Sequence, residues 1–407
     1  MRRSIGLTAY RSLIRQRKLS YFEPSCPRPE GELIWIHAAE AGENRPIDDL
    51  AFQILQIRGH CNVLVTTPYD PTQILINNDT ILDIIPGEHP LETDAFIKHW
   101  RPDVVIWAWG GLRPNLIQSA AESGAHMMLI DAAEDGFESR IDRWLPEIPK
   151  YSLAKFKTVM ARSEKAKLRL IKLGCNQEKI ILTNPLSPFG HILEAADSDL
   201  NDFTHAVTGR PVWLAMQVTH LEAGTILAAH SQALMIAHRL LVILHPSNLK
   251  ATQDILTQAK KAGLRVICWS SGNLPDENTQ VLIADTTEDL GLWLRLAPVS
   301  FLGGSLYSGE DSCDPYMAAA HGTAIIYGPH TGRNVEAYTN LVNAGAARIV
   351  NDSATLADAV IQMIAPDQAA QMAVSGWDFA TEGIENIEKI IGYIDAELSA
   401  NNDGQTD

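Results

Sequence analysis

The stretch that decides the fold is Leu33-Ile-Trp-Ile-His37, which is followed by Ala38-Ala-Glu-Ala-Gly-Glu43. Five apolar or aromatic residues in a row predict a buried parallel strand, and Asn44–Arg58 then has the spacing of a helix. In open α/β sheets, ligands bind beyond the carboxyl ends of the strands. Glu43 is therefore a candidate for chemistry at a helix N-terminus. The alternative is that Glu43 only complements the helix dipole.

A second corner of the same form lies in the other half of the chain. Pro211-Val-Trp-Leu-Ala215 continues into Met-Gln-Val-Thr-His220, and a helical pattern then reaches His238. The two corners are separated by about 180 residues, a length that fits one domain each. They predict two similar domains that face each other across a cleft.

The composition supports two domains and excludes some classes of protein. A chain of 407 residues fits two domains of roughly 150–200 residues each. A formal charge of -16 argues against a nucleic-acid partner. The five cysteines are widely spaced and contain no C-x-x-C pair, which fits a reducing compartment such as the cytoplasm and gives no sign of zinc.

The N-terminal segment departs from this acidic balance. Met1–Lys18 contains six arginines and lysines and no acid, and its apolar residues form an imperfect helical stripe. A basic amphipathic helix can lie on an anionic membrane surface, but it can equally be a solvated or domain-packed helix. The segment is not a signal peptide, because Arg11 and Arg15 interrupt the apolar region. No run of about 18 apolar residues predicts a transmembrane span.

Alternating strand and helix patterns predict a parallel sheet in each domain. The expected boundaries are 1–30 for the basic helix and a proline-rich linker and 31–195 for the first Rossmann-like domain, followed by 203–380 for the second and 381–407 for a helix and a polar tail. The acidic stretch Glu194–Asp202 is interpreted as part of the interdomain linker. The final helix is predicted over Thr381–Leu398 and is expected to return to the first domain.

Three strand ends of the second domain carry polar or glycine residues that could bind a ligand. They are Thr219-His220, His245-Pro246 and Gly303-Gly304-Ser305. Glycines at a strand end let backbone N–H groups approach a phosphate, and a serine adds a hydroxyl. Each feature alone is also compatible with a tight turn or a core histidine. The P-loop, G-x-G-x-x-G, G-x-S-x-G and H-E-x-x-H motifs are all absent.

Four segments together resemble the bacterial 3-deoxy-D-manno-octulosonic acid (Kdo) transferases of lipopolysaccharide synthesis. These segments are PRPEGELIWIHAAEAGE at 27–43, RPDVVIWAWGGLRPNLI at 101–117, ADTTEDLGLWLRLAPVSFLGGSL at 284–306 and YGPHTGRN at 327–334. The resemblance covers most of the chain in order. It implies an α/β fold of the GT-B type, with two Rossmann-like domains.

The resemblance also implies roles for particular residues. Glu43 corresponds to the family's general base. The donor is a CMP-activated Kdo, which the strand-end residues of the second domain hold. These residues correspond to Thr219, His220, His245, Gly303, Gly304, Ser305 and Asp314. CMP leaves with one phosphate, so N–H groups and cations can replace a metal. We therefore expect no metal and no cofactor.

Several positions depart from the family pattern. Trp109-Gly-Gly-Leu-Arg-Pro-Asn115 stands where the family usually has Glu-Thr-Glu before Leu-Trp-Pro-Asn. Asp314-Pro-Tyr-Met317 replaces Asn-Pro-Leu-Glu, whose acid holds the donor ribose, and methionine is a poor acceptor for a hydroxyl. Leu244 replaces a basic residue before His-Pro, and the short basic helix replaces a long membrane anchor.

The sequence therefore favours an inverting glycosyltransferase that moves Kdo to lipid A precursor at the cytoplasmic face of the inner membrane, or in the cytoplasm. An alternative is a degenerate paralogue that binds another sugar nucleotide or serves as a scaffold, as the loss at Met317 suggests. A sugar-nucleotide epimerase shares the architecture but needs an acid–base pair, for which the sequence offers no clear candidate.

Overall fold

A computed structural model gives the fold of the chain. It describes residues 5–16, 19, 22–39, 45–68, 79–137 and 147–403. The chain divides into two compact units. Unit 1 comprises Met1–Pro188 together with Gly383–Asp407, and unit 2 comprises Phe189–Glu382.

Unit 1 contains a parallel sheet of seven strands in the order β3-β2-β1-β4-β5-β6-β7. The strands are β1 Glu32–Ala38, β2 Cys61–Thr67, β3 Ile81–Ile84, β4 Val104–Ala108, β5 His126–Ala132, β6 Thr158–Ala161 and β7 Ile180–Leu182. Its helices are α1 Ile5–Ile14, α2 Arg45–Arg58, α3 Pro90–Trp100, α4 Pro114–Glu122, α5 Glu147–Leu153, α6 Glu164–Lys172 and, after unit 2, α15 Ile384–Asp403.

The strand predicted from Leu33 lies at the centre of this sheet. β1 pairs with β2 on one side and with β4 on the other. Leu33 through Ile36 are fully buried because helices cover both faces of the sheet. The strand and helix predicted around the first corner are thus confirmed as β1 and α2.

The helix α15 belongs to unit 1, as the sequence predicted for the final helix. Its apolar residues Ile387, Ile390, Ile391, Ile394 and Leu398 are all buried. The guanidinium of Arg58, in α2, pairs with Asp395 and, at 2.6 Å, with Glu32. The side-chain amide of Asn386 donates to the carbonyl of Asn184 at 2.7 Å. Unit 1 is therefore completed by residues that follow unit 2 in the chain.

Unit 2 repeats the plan with strands in the order β10-β11-β9-β8-β12-β13-β14. The strands are β8 Val212–Val218, β9 Leu241–Pro246, β10 Val266–Cys268, β11 Val281–Ile283, β12 Val299–Leu302, β13 Ala324–Tyr327 and β14 Ala347–Ile349. Its helices are α7 Asp197–Ala206, α8 Ala223–Leu234, α9 Thr252–Lys261, α10 Leu290–Leu296, α11 Pro315–Ala320, α12 Val335–Asn343, α13 Ser353–Met363 and α14 Pro366–Thr381.

Both sheets are parallel throughout, so the prediction of two Rossmann-like α/β domains is confirmed. The sequence did not predict α5, α7, α9, β14 or α14. The acidic stretch interpreted as linker, Glu194–Asp202, instead contains the first turns of α7, whose Phe203 is buried in the core of unit 2. In the described part of the chain, no helix combines the length and the apolar character needed to cross a membrane.

Candidate functional site

The predicted donor-binding residues of unit 2 meet at one place in the sheet. The strand order reverses between β8 and β12, which are neighbours. Ligands of open α/β sheets bind at such a switch point, beyond the carboxyl ends of the strands. Thr219 and His220 directly follow β8, and Gly303–Ser305 directly follow β12. The topology therefore places these five residues at the switch point.

A residue that the sequence analysis missed, Glu222, joins the two loops. Its side chain is fully buried. One carboxylate oxygen, Oε2, accepts from the N–H of Gly304 at 2.7 Å and from the N–H and hydroxyl of Thr219 at 3.1 and 3.2 Å. The other, Oε1, accepts from the N–H groups of Ser305 and Leu306, both at 2.9 Å. Thr-x-x-Glu at 219–222 is the signature of a capping box, which could have revealed the local half of this arrangement.

The turn after β12 is packed so closely that its glycines are required. A Cβ on Gly303 would lie 2.3 Å from the carbonyl oxygen of Gln217, and one on Gly304 would lie 2.1 Å from that of Asp311. Gly304 also has a φ of +70°, which side chains disfavour. The Ser305 hydroxyl is buried, donates to the carbonyl of Leu302 and accepts from the N–H of Gly328 at 2.8 Å. The polar groups of this turn are therefore satisfied within the protein.

His245 lies at the end of β9 and is buried. Its Nδ1 accepts from the N–H of Gln217 at 3.3 Å, so that nitrogen carries no proton. Burial lowers the pKa of His245 to about 4, which keeps the ring neutral at pH 7. Gln217 itself has a φ of +49°. His245 thus acts here as a neutral hydrogen-bond acceptor that holds the last residues of β8.

The remaining predicted residues differ in exposure. His220 is exposed, so its ring is free to meet a ligand from solvent. Asp314 precedes α11, and its carboxylate accepts from the N–H of Tyr316 at 3.1 Å as an N-cap. Met317 lies on α11 and packs, half-buried, against the unit 2 core. The donor-binding role of these residues stays a prediction.

The carboxyl edge of unit 1 is described on both sides of the predicted base. β1 ends at Ala38 and α2 begins at Arg45, whereas Glu43 lies outside the described residues. Trp109 directly follows β4, the neighbour of β1, and Asp131 lies at the end of β5, the next strand; both residues have positive φ. The indole Nε1 of Trp109 donates to the Asp131 carboxylate at 2.9 Å. The backbone at this edge is therefore held in conformations that non-glycine residues seldom adopt.

Gly110 and Gly111 stand where the family pattern has the Thr and the second Glu of Glu-Thr-Glu, and Trp109 stands where it has the first Glu. A Cβ on Gly110 would lie 2.2 Å from the carbonyl oxygen of Gly136, so this backbone leaves no room for a side chain there. Gly111 has a φ of +61°, and its N–H donates to the carbonyl of Gly136 at 2.7 Å. A side chain at position 111 would therefore be strained.

A partly buried ion pair follows the two glycines. The Nε of Arg113 lies 3.6 Å from Glu88, and its Nη2 donates to the carbonyl of Pro86 at 2.7 Å. Glu88 also accepts from the N–H groups of Asn115 and Leu116, at 3.0 and 3.4 Å, so it caps α4. Burial raises the pKa of Glu88, and the charge of Arg113 and these hydrogen bonds oppose that rise.

His37 is a core residue at the end of β1. Its Nδ1 lies 3.1 Å from the hydroxyl and 3.2 Å from the carbonyl oxygen of Thr66, and its ring meets Trp107 edge-on at 4.3 Å. Burial, assisted by the nearby charge of Arg113, lowers the pKa of His37 to about 3. The ring is therefore neutral at pH 7.

The N-terminal helix α1 packs on unit 1 with part of its surface. Tyr10 and Ile14 are buried and contact Ile148 of α5. The Tyr10 hydroxyl donates to Glu88 at 3.0 Å, and the Arg11 Nε donates to the Asn115 side chain at 3.0 Å. Leu13 and Arg15 are exposed. Of the alternatives considered for the N-terminal segment, packing against the domain is the one observed for this part of α1. Membrane binding stays a prediction.

A cavity of about 640 Å³ lies in unit 2, but at the other edge of the sheet. It is lined by residues that precede β8 and β12, including Arg210, Pro211 and Pro298. Since the predicted residues follow the carboxyl ends of these strands, the cavity is not their site.

Two parallel seven-stranded Rossmann-like units in one chain are the domain composition of the GT-B glycosyltransferases. The sequence model of the 3-deoxy-D-manno-octulosonic-acid transferases, or Kdo transferases, matches residues 13–186. The resemblance to this family that the motifs predicted is confirmed over that part of the chain.

Curated relatives extend the match over most of the chain. The 3-deoxy-D-manno-octulosonic acid transferase of Haemophilus influenzae is 24% identical over 98% of this chain and 94% of its own length. The transferase of the same name from Bordetella pertussis is 28% identical over 88% of this chain and 86% of its own length. The alignment therefore includes both units.

Similar solved structures are more distant. The C-terminal CMP-Kdo binding domain of WaaA from Acinetobacter baumannii covers 45% of this chain and 96% of its own length, with a TM-score of 0.43 and 20% identity. A UDP-GlcNAc 2-epimerase from Neisseria meningitidis covers 89% of this chain and all of its own length, with a TM-score of 0.40 and 13% identity. The fold assignment rests on the chain's own two sheets.

Proposed function

We propose that this chain is a Kdo transferase, a glycosyltransferase that moves Kdo from CMP-Kdo to lipid A precursor in lipopolysaccharide synthesis. The observation that carries the proposal is the alignment with transferases of that name over both units. The relatives do not favour a scaffold function.

In this proposal, unit 2 binds the donor at its switch point and unit 1 binds the acceptor. CMP is a nucleoside monophosphate, so its departure requires neutralisation of one phosphate, which hydrogen-bond donors and cations can supply without a metal. His220 is the exposed residue best placed in sequence to contribute, since it directly follows β8. Thr219 and His245 would act from beneath it by holding the loop.

Glu43 is the proposed general base. Its carboxylate would remove the proton of the acceptor hydroxyl while that oxygen attacks the anomeric carbon of Kdo, and CMP would leave from the opposite face with inversion. The support for this role is the motif that ends in Glu43 and its position between β1 and α2. The facing arrangement of the two domains belongs to the same proposal.

The acceptor is a lipid, and the N-terminal segment is proposed to help the protein reach it. Arg15 and Leu13 are exposed on α1, and further basic residues lie outside the described part of the segment. Each cation near an anionic membrane contributes about 1 kcal/mol, a contribution that salt screens. The proposed location is peripheral, at the cytoplasmic face of the inner membrane.

The function is tested by incubating purified protein with CMP-Kdo and lipid A precursor and following the acceptor by mass spectrometry. We expect the acceptor mass to increase by whole Kdo units. Glu43→Gln should reduce the rate about 10²–10⁴-fold and leave CMP affinity within about threefold of wild type. Absence of transfer by wild-type protein that binds CMP would contradict the proposed reaction.

A further inference from the structure

The turn after β12 in unit 2 has the form of an anion-binding site. Three consecutive N–H groups, of Gly304, Ser305 and Leu306, converge on the two oxygens of one carboxylate at 2.7–2.9 Å. The φ of +70° at Gly304 turns these groups to one side. Successive N–H groups in such a turn bind phosphate or carboxylate in many proteins. In this chain the anion is the side chain of Glu222.

This anion is built into the fold. Glu222 is fully buried and directly precedes α8, where the helix dipole favours a negative charge. Its oxygens accept five hydrogen bonds, three from the turn and two from Thr219. A carboxylate has about four lone-pair positions, so its capacity to accept is filled. A second anion at the same N–H groups would be disfavoured, because these donors are already hydrogen-bonded and because the charge of Glu222 would repel it.

We propose that Glu222 is a positioning residue that permanently occupies the N–H turn of the donor site, so that the phosphate of a sugar nucleotide is recognised by exposed side chains at this edge instead. Glu222 ties the loop after β8 to the turn after β12, which fixes Thr219 and the adjacent His220. The assignment of phosphate to exposed groups such as His220 rests on the proposed function. The occupation of the turn by Glu222 does not depend on the proposed function.

Removal of the carboxylate provides a direct test. Glu222→Ala removes the acceptor of four buried N–H groups and of the Thr219 hydroxyl, and it opens space for a small anion. Unpaired buried donors destabilise a fold. We expect its melting temperature to fall by roughly 4–10 °C. Sodium formate should raise the melting temperature of this variant by about 2 °C or more above its effect on wild type, because bound anions stabilise the native state. Sodium chloride at equal ionic strength is the control for screening.

Two matched variants define the outcome. Glu222→Gln fills the space but turns an NH₂ group towards the N–H donors, so it should be destabilised and should not respond to formate. Glu336→Ala removes an exposed acid and should behave as wild type. A Glu222→Ala protein with wild-type stability, or one that formate does not stabilise, would overturn the proposal. If Glu222→Ala does not fold, a Glu222→Gln protein as stable as wild type would overturn it.

Inorganic phosphate and CMP separate this inference from the proposed function. Phosphate should stabilise Glu222→Ala and compete with formate, with no such effect on wild type. His220→Ala should lower CMP affinity about tenfold without changing the melting temperature, as loss of one charge-assisted contact predicts. Unchanged CMP affinity in His220→Ala would refute the proposal that this side chain recognises the phosphate. Failure of wild type to bind CMP would remove the proposed function and leave the formate result to decide the role of Glu222.

Discussion

Glu88, a partly buried carboxylate near the carboxyl edge of unit 1, faces the cation Arg113, whereas the fully buried Glu222 of unit 2 accepts five hydrogen bonds from neutral N–H and O–H groups. Both residues meet backbone N–H groups where a helix or turn follows a strand. Glu88 is held by the side chains of Arg113 and Tyr10 as well as by two N–H groups, whereas four of the five donors to Glu222 are backbone N–H groups. We infer that the turn in unit 2 depends more on its backbone than the loop in unit 1 does.

The largest effect is expected from a methyl group in the turn of unit 2. Gly304→Ala should reduce the free energy of unfolding by about 3 kcal/mol or more, since its Cβ would lie 2.1 Å from the Asp311 carbonyl oxygen. Gly322 also has a φ of +70° but open space around its Cβ. Gly322→Ala should therefore cost only about 1 kcal/mol. Urea unfolding measures the stability of both variants. Equal losses of stability would show that the close contacts around Gly304 do not make its turn more sensitive than that of Gly322.

The ion pair of unit 1 should respond differently to single and double changes. Arg113→Met should destabilise by about 2–3 kcal/mol, because it leaves Glu88 buried without its cation. Adding Glu88→Gln should recover part of this loss. A double-mutant cycle by urea unfolding measures the coupling. Strict additivity of the two changes would contradict an energetic link between Arg113 and Glu88.

Acid should distinguish the two units. Burial lowers the pKa of His230 and His245 in unit 2 to about 4, so the unfolded state binds protons first as the pH falls below 6.5. Their contribution to stability is present above pH 6.5 and is lost as the pH falls towards 4, at about 1–2 kcal/mol each by pH 5. In unit 1, burial lowers the pKa of His37 to about 3.

Unit 1 also contains an opposing contribution. Burial raises the pKa of Asp83 and Glu88, so the folded state takes up protons there more readily and gains stability as the pH falls through those raised values. Hydrogen exchange at pH 7 and pH 5 should therefore show greater loss of protection in β8 and β9 than in β1 and β2. His230→Gln should reduce that difference. Equal loss in both sheets would contradict this assignment.

The smallest effect concerns the attachment of α1. Tyr10→Phe removes the hydroxyl that donates to Glu88 and keeps the buried ring, so unfolding should be easier by about 0.5–1.5 kcal/mol. Thr8→Ala, at an exposed position of the same helix, provides a comparison. Limited proteolysis within α1 should accelerate in Tyr10→Phe. An unchanged rate would indicate that the hydroxyl does not hold the helix.

The patterns that were predictable from sequence are those with a local physical cause. Runs such as Val299–Leu302 and Ala324–Tyr327 form the strands β12 and β13, because buried parallel strands are largely apolar. β14 was missed because a strand of only three residues at the sheet edge is too short to show a periodic pattern of apolar residues. The helix α14 was missed because Ser375, Gly376 and Trp377 interrupt a weak helical pattern.

The candidate site was likewise predictable from the sequence only where a feature has a local cause. Strand ends could be located from the sequence, so Thr219, His220 and Gly303–Ser305 were predicted to lie at strand ends. The strand order of the structure then places them at one switch point. The contacts of Glu222 with residues 304–306 and of Arg113 with Glu88 join separate loops, and no local pattern specifies them. The sequence therefore predicted where ligands could bind but not which N–H groups are already occupied.

The return of α15 to unit 1 has a consequence for synthesis on the ribosome. Unit 2 is a single continuous segment, and all of it emerges before Gly383. Unit 1 begins first but still lacks Ile387, Ile390 and Ile394, which are buried in its finished form. The sheet that starts the chain therefore leaves the translation machinery with an uncovered apolar surface, and it closes only after the second sheet has been made. A ribosome stalled before Gly383 would present a complete unit 2 attached to an incomplete unit 1.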